Sequence, residues 1–336
     1  MLMSGIVGSQ HTHLDKLSAQ VPVGAKPTSR SKRFARWVAN DAVTPQLFYL
    51  PFAKLLLASL AHSPLVFVLD GSSIGRGCVT LMLSVVYRGR ALPVVWLVAE
   101  GRKGHFAERV HLQLLHQLLP LVPSQAEVVV LGDGEFDGLL FQQTLEAQGW
   151  SYVCRTASNL PLRVADEELV VSDLAQRGQL VAVLAEGYTH QQYGPVTVVA
   201  WWEATSSKPL YLVTNLELAD EAWWWYRKRF RIETFFSDQK SRGFQLHKSH
   251  ISHPQRLLRL MIAACLAYLW VVYLGTLAHT EGWVAVIHRT ERCDLSLFQL
   301  GLRLLEHFLN EAMPIPVAFS VLLLEDEEIA WMGCVR

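Results

Sequence analysis

Residues 65–99 read LVFVLDGSSIGRGCVTLMLSVVYRGRALPVVWLVA. An apolar run over 65–69 ends at Asp70, and two longer apolar segments, 78–87 and 91–99, flank an Arg88-Gly89-Arg90 turn. β-Branched and aromatic residues dominate, with glycine-bearing turns between them, so the stretch predicts three strands. Downstream the period lengthens. Over 105–119 Leu112, Leu115 and Leu119 share one face, Leu114 and Leu118 lie beside it, and Pro120 and Pro123 close the helix. A buried-type strand follows over 127–131 and ends at Gly132-Asp133-Gly134; then come a helix over 136–148, stopped by Gly149, and a strand over 151–155. Three strands, helix, strand, helix, strand is a meander followed by a βαβ unit, which makes a mixed sheet. Asp70 and Asp133 each fall just after an apolar strand, where ligand sites of α/β sheets gather. Neighbouring strands stand about 4.8 Å apart, so two such carboxylates could share a metal cluster.

Working outward, residues 160–216 alternate and turn often (180–184, 196–202, 210–214), which predicts a β-rich segment before the next helix. Residues 1–25 mix small, polar and scattered apolar residues and read as a poorly ordered start. A basic helix is expected over 32–40 and an apolar one over 45–61, together a small helical N-terminal region. The 51% hydrophobic and 18% charged content exclude a disordered chain. Five separated cysteines (Cys78, Cys154, Cys265, Cys293, Cys334) form no CxxC pair; they make neither a disulfide framework nor a zinc site and suit a reducing cytosol. No apolar segment with a small-residue cleavage site opens the chain, so no secretory signal is expected. The net charge is zero but unevenly spread. Residues 1–60 carry seven Lys/Arg, among them Arg30, Lys32, Arg33 and Arg36, against Asp15 and Asp41, a balance of +5. Residues 226–259 carry nine against Glu233 and Asp238, a balance of +7, while acid collects at Glu325-Asp326-Glu327-Glu328. Two basic segments make either a polyanion footprint or two solvated surfaces. The uncharged stretch 260–278 is long enough to span a bilayer, but its small residues and Gly275 favour a buried helix.

The second decisive stretch is 222–243, which lacks proline and carries a helical period. At about 100° per residue, Tyr226, Arg229, Glu233 and Lys240 fall within about a 60° arc. Beside that arc runs an apolar stripe of Trp225, Ile232, Phe235 and Phe236. The arc reads either as a surface charge ladder or as a carboxylate set among a phenol, a guanidinium and an ammonium at the edge of a buried face.

The spacing of those four residues, Tyr-x2-Arg-x3-Glu-x6-Lys, resembles the signature of the IS4-type bacterial insertion-sequence transposases. The stretches VLDGSSIGRGCVTLMLSVVYRGRALPVVW around Asp70 and VVVLGDGEFDGLLFQQTLEAQGWSYVCR around Asp133 resemble that family's two aspartate regions. FQLHKSHISHPQRLLRL, the apolar helix and DLSLFQLGLRLL resemble its tail, so the likeness covers roughly 60–305. It implies an α/β, ribonuclease H-like mixed-sheet catalytic core with a β-rich insertion and a small helical N-terminal region. The expected divisions are 1–62 (basic, helical, DNA-binding), 63–159 and 217–310 (the core), 160–216 (the insertion) and 311–336 (a tail). The 99 residues between Asp133 and Glu233 leave room for the insertion.

The resemblance further implies a DDE transposase that cleaves transposon ends and joins the freed 3′-OH to target DNA, through a hairpin intermediate. Asp70, Asp133 and Glu233 would hold two divalent cations, Mg²⁺ first and Mn²⁺ second, with Asp70 bridging them. Tyr226, Arg229 and Lys240 would hold phosphates near the scissile bond. Arg30, Lys32, Arg33 and Arg36 would contact the terminal repeats. The partner would be double-stranded DNA and not a membrane, bound by a homodimer in the bacterial cytoplasm. The Trp201-Trp202 pair could stack on an extruded base or be a strand with one buried Trp. Glu135 and Asp137 read as carboxylates at a helix start, favoured by its dipole, and His62 and His105 as structural histidines. The rival functions are a nuclease of the same fold without strand transfer, and a DNA-binding relative that has lost activity.

Overall fold

The computed structural model describes residues 1–21, 24–101, 106–289 and 293–317. Among these residues the chain opens on helices α1 (Leu2–Ser9), α2 (Leu14–Ala19), α3 (Pro27–Ala39), α4 (Pro45–Phe48) and α5 (Leu50–Leu60). The start is therefore ordered, contrary to the expectation from its composition. Ile6, Val7 and Leu17 are buried, and Gly5 lets α1 lie close to the Leu17 carbonyl of α2. The helix expected over 45–61 is broken at Tyr49, whose fully buried hydroxyl donates to the Pro93 carbonyl.

β1 (Leu65–Ile74), β2 (Cys78–Tyr87) and β3 (Arg90–Glu100) form the antiparallel meander. The turn between β2 and β3 has Arg88 at φ 46° and Gly89 at φ 73°, the left-handed pair of a tight hairpin. Next come α6 (Glu108–Leu118), β4 (Val128–Gly132), α7 (Leu139–Ala147) and β5 (Ser151–Arg155). β4 pairs parallel with both β1 and β5, so the sheet is mixed. Leu65–Leu69 and Val128–Gly132 are buried residue after residue, as in strands covered on both faces.

Beyond β5 lie β6 (Pro161–Val164), β7 (Glu167–Val170), β8 (Leu180–Ala185), β9 (Gly187–Tyr188), β10 (Val196–Trp201) and β11 (Leu210–Thr214). Three of these, β11, β10 and β8, extend the main sheet, whose eight described strands run β3-β2-β1-β4-β5-β11-β10-β8. The others form a small sheet in the order β7-β6-β9.

The helix expected over 222–243 is two helices, α8 (Ala219–Tyr226) and α9 (Arg231–Gln239). Between them the amides of Lys228, Arg229 and Arg231 each bond the carbonyl three residues back. These tight turns set Lys228 Nζ 3.3 Å from the Trp224 ring centre and the Arg229 guanidinium 4.3 Å from that of Phe230. Cation–π contacts thus accompany the change from four-residue to three-residue backbone bonding. α9 packs over β1 and β3, anchored by a buried ion pair between Arg90 on β3 and Asp238 at 2.9 Å.

α10 (Pro254–Thr280) is the helix that length and composition would allow in a membrane, yet 78% of its most apolar window is buried. It packs on α1, β3 and, past the short α11 (Val284–Ile287), on α12 (Leu297–Asn310). Ser296 caps α12 through the Gln299 amide at 3.2 Å, while the Gln299 side chain accepts from the Ser296 amide. Arg259 of α10, buried, donates to the carbonyls of Val38 and Val43 at 3.2 Å each and pairs with Asp41, tying the N-terminal helices to the core. His105, Cys334 and the acidic run at 325–328 lie outside the described residues.

Candidate active site

Asp70 sits inside β1, not after it, because the strand continues to Ile74. Val68 pairs with Leu131 in the parallel ladder of β1 and β4. Two residues further along stand Asp70, still on β1, and Asp133, the first residue past β4, so the register brings the two carboxylates to the same end of neighbouring strands. Gly132 makes the turn after β4 possible: a Cβ there would meet Phe136 Cβ at 2.5 Å. The turn is tightened by Asp133, whose Oδ1 accepts from the Glu135 amide at 3.0 Å. Asp70 Oδ1 accepts from the Gly71 amide at 2.7 Å. Each aspartate therefore has one oxygen engaged by backbone.

Burial pushes the Asp70 carboxyl up to about 6, and the negative charge of Asp133 pushes the same way. Arg229 and the Gly71 amide oppose that shift, and Glu233 adds to it. Asp70 thus feels both other acids of the expected triad. Two carboxylates within one another's electrostatic reach are a charge arrangement that a divalent cation neutralises. Glu233 stands differently. Its side chain is 59% exposed, and Oε1 is 3.5 Å from Arg229 Nη2. Among the described residues no group of three or more His, Cys, Asp or Glu side chains is close enough to hold a metal ion. Of the two other acids, Asp133 bears more strongly on Asp70 than Glu233 does.

The raised Asp70 carboxyl carries a stability consequence. Below about pH 4 it is protonated in the folded and unfolded chain alike. Between about 4 and about 6 the folded chain holds a proton that the unfolded chain has lost, so stability falls as pH rises through that window. Asp70→Asn is expected to stabilise the metal-free protein by about 1–3 kcal/mol at neutral pH, with the gain vanishing in acid. Melting temperatures of both forms across that pH range check this.

The remaining members of the expected arc lie at unequal depth. Tyr226 is fully buried at the end of α8, and burial raises its hydroxyl pKa; Arg229, Arg155 and Asp133 lie within its electrostatic reach. Arg229 is 7% exposed, and its Nε is buried without a hydrogen-bond partner among the described residues. Lys240 follows α9, and its Nζ donates at 2.6 Å to Ser72 Oγ, two residues beyond Asp70 on β1. Tyr226, Arg229 and Lys240 therefore gather around the aspartates, although the uniform helical arc does not exist.

Arg30, Lys32, Arg33 and Arg36 lie on α3 with Phe34 and Val38 on its buried side. Lys32, Arg33 and Arg36 are exposed, while Arg30 donates to the Val21 carbonyl. None of the four is among the charges that bear most on Asp70. His62 is exposed near the Ser59 carbonyl.

Glu135 and Asp137 are not helix-start carboxylates. Glu135 Oε1 accepts from the Phe106 amide at 2.5 Å and lies 3.2 Å from His111 Nε2; Asp137 accepts from Thr156 Oγ1 at 2.8 Å. The carboxylate at the start of α7 is Glu108 of α6, which accepts from the Phe141 amide at 3.1 Å. Trp201 and Trp202 are both partly buried, Trp201 with its ring centre 5.7 Å from that of Trp223. Sequence reasoning missed the exposed Trp224, with Lys228 over its ring and an ammonium that burial pushes down to about 8. The run Trp223-Trp224-Trp225 beside Arg227-Lys228-Arg229 was its available signal.

The family described as the transposase DDE domain matches residues 62–270, which include both aspartates and Glu233. The chain belongs to the transposase DDE domain family. Its matched part runs from just before β1 into α10, leaving α1–α5, α11 and α12 outside. Comparison with curated proteins gives no match. Among solved structures, a cryo-EM structure of a piggyBac transposase synaptic complex with hairpin DNA aligns over 98% of this chain and 72% of its own, at 12% identity and a TM-score of 0.49. A crystal structure of human ENDOV aligns over 65% of this chain and 95% of its own, at 14% identity and a TM-score of 0.26. At those scores neither likeness adds to the argument, which rests on the family and the site of this DDE transposase.

Proposed function

We propose that this transposase is an IS4-type enzyme with a ribonuclease H-like core, active on double-stranded DNA. It hydrolyses a strand at the transposon end and passes the freed 3′-OH to target DNA. The observation that carries the reading is the placement of Asp70 on β1 and Asp133 at the end of the parallel neighbour β4, each carboxylate within the other's electrostatic reach, with Arg229 acting on Asp70 and Lys240 bonded to Ser72.

Asp70 and Asp133 are the residues that would hold divalent cations, Mg²⁺ or Mn²⁺, and Glu233 is the third. Two such ions, when bound, activate the attacking oxygen and stabilise the leaving one in an in-line displacement. The protein's own groups do the rest. Asp70 is ionised at neutral pH, since its carboxyl titrates near 6. Arg229, a buried guanidinium with an unpartnered Nε, is a ready grip for a phosphate, and Lys240 adds a point charge on the β1 side. Tyr226 walls the site with a protonated phenol, its pKa raised by burial. These contacts position the backbone without reading its sequence. The exposed Lys32, Arg33 and Arg36 of α3 would contact the terminal repeats, with Arg30 supporting that helix. Two transposon ends must be brought together, which calls for a homodimer on DNA in the bacterial cytoplasm.

The test is incubation with labelled terminal-repeat DNA and a target plasmid in Mg²⁺. The expected products are cut ends and joined strands. Cutting with no joined product would mean a nuclease, and no cutting in Mg²⁺ or Mn²⁺ would mean a DNA-binding relative without activity.

A further inference from the structure

The link between α1 and α2 lies against the segment that follows Lys240. Thr12 Oγ1 donates to the Gln245 carbonyl at 3.2 Å, 233 residues away in sequence. Beside that bond three imidazoles stand edge to face, His11 to His13 at 6.2 Å and His13 to His250 at 5.1 Å between ring centres. Lys16 of α2 and Lys248 and His247 of the 3-10 turn Leu246–Lys248 complete the group, and all three are exposed. The neighbouring carboxylate, Asp15, accepts from the Ser31 hydroxyl of α3.

The hydrogen bonding inside this seam is incomplete. His11 Nδ1 accepts from the His13 amide at 2.9 Å, which leaves the ring proton on Nε2. That N–H faces the Lys16 ammonium at 3.3 Å, donor against donor. His13 Nδ1 is buried and has no partner among the described residues. Burial, then Lys16, His13, Lys248 and His247, push His11 down to about 4, so burial and the neighbouring cations together keep this imidazole neutral. An oxyanion between His11 and Lys16 would accept from both and relieve that repulsion. The seam is also continuous with the candidate active site. The Gln245 amide donates to the Lys240 carbonyl at 3.0 Å, and the Lys240 ammonium reaches Ser72 beside Asp70.

We infer that Lys16, Lys248 and the His11–His13–His250 rings form a phosphate-binding seam that holds the backbone of duplex DNA leading away from Asp70. This rests on the reading of the protein as a transposase acting on DNA. It assigns a DNA contact to the α1–α2 link, in addition to the one expected on α3. The charges nearest His11 are Lys16 from α2 and Lys248 from the 3-10 turn, with His13 and His247 beside them.

The experiment is fluorescence anisotropy of labelled duplex with the full chain, without Mg²⁺ so that no cutting occurs. Lys16→Ala/Lys248→Ala, both changes at exposed positions, is expected to weaken binding about tenfold and to reduce the salt slope by about 1–2. Lys54→Ala, an exposed lysine of α5, is expected to bind as wild type. Wild-type affinity and salt slope in the double lysine variant would overturn the seam while leaving the transposase reading intact. So would histidine-ring NMR shifts caused by inorganic phosphate together with unchanged DNA affinity in that variant, since the seam would then serve a free anion. A wild type that binds no duplex at all would overturn both readings.

Discussion

Asp70→Asn and Asp133→Asn are each expected to lower the rate of end cleavage by at least about 10³-fold, close to 4 kcal/mol of barrier. The change removes one negative charge from a pair that the β1–β4 register brings to the same end of neighbouring strands, and leaves the volume nearly unchanged. The folded core should therefore survive. For Asp70 it should gain stability, because the wild-type carboxyl is held ionised at neutral pH against burial and against Asp133. DNA affinity is expected to stay equal or rise, since a negative charge has been taken from the side that faces phosphates. Loss of cleavage with retained binding and a raised melting temperature is a combination that a merely structural aspartate would not give. Cleavage rate, anisotropy and thermal melts on the same preparations check it. Glu233→Gln is expected to lose cleavage too, without the stability gain, because its side chain is exposed.

The other large effect lies where α10 crosses α12. A Cβ on Gly301 would overlap the Val271 carbonyl oxygen, and one on Gly275 would overlap the carbonyl of Leu297. Each obstacle is backbone inside a helix, so no rotamer change relieves it. Gly301→Val is expected to cost about 4 kcal/mol or more, a large part of an ordinary domain's stability. Urea midpoints measure it. Gly24→Ala is the matched control, for nothing lies within 4 Å of that position and the change should be close to neutral. The sequence offered Gly275 as a blemish in a membrane-like helix. Its place in the fold is a contact point that lets two helices touch backbone to backbone.

Much of the catalytic sheet was legible because its strands announce themselves locally. The apolar runs at 78–87 and 151–155 match β2 and β5, and Asp133 follows β4 directly. Asp70 was misplaced by one detail: β1 continues as a polar ribbon, Gly71-Ser72-Ser73, paired to β2, where hydropathy gives no strand signal. The break between α8 and α9 was hidden for the opposite reason. The apolar period runs on through Ile232, Phe235 and Phe236, while the interruption is made by backbone turns and by cations folding back on aromatic faces. Pairings far apart in sequence left no local trace. Arg90–Asp238 spans 148 residues, and Arg259 reaches back 218 to Asp41. The same holds for β8, β10 and β11, whose alternation predicted strands but not that they would extend the main sheet. The four-residue spacing around Glu233 runs across the division between the two helices, with Tyr226 at the end of α8 and Glu233 on α9.

The most direct test of the central claim is electron paramagnetic resonance of Mn²⁺ titrated into the full chain at about pH 7.5, where Asp70 is ionised. The account predicts bound Mn²⁺ in the wild type, lost in Asp70→Asn and in Asp133→Asn and displaced by excess Mg²⁺. Mn²⁺ binding that is unchanged in both variants would contradict it.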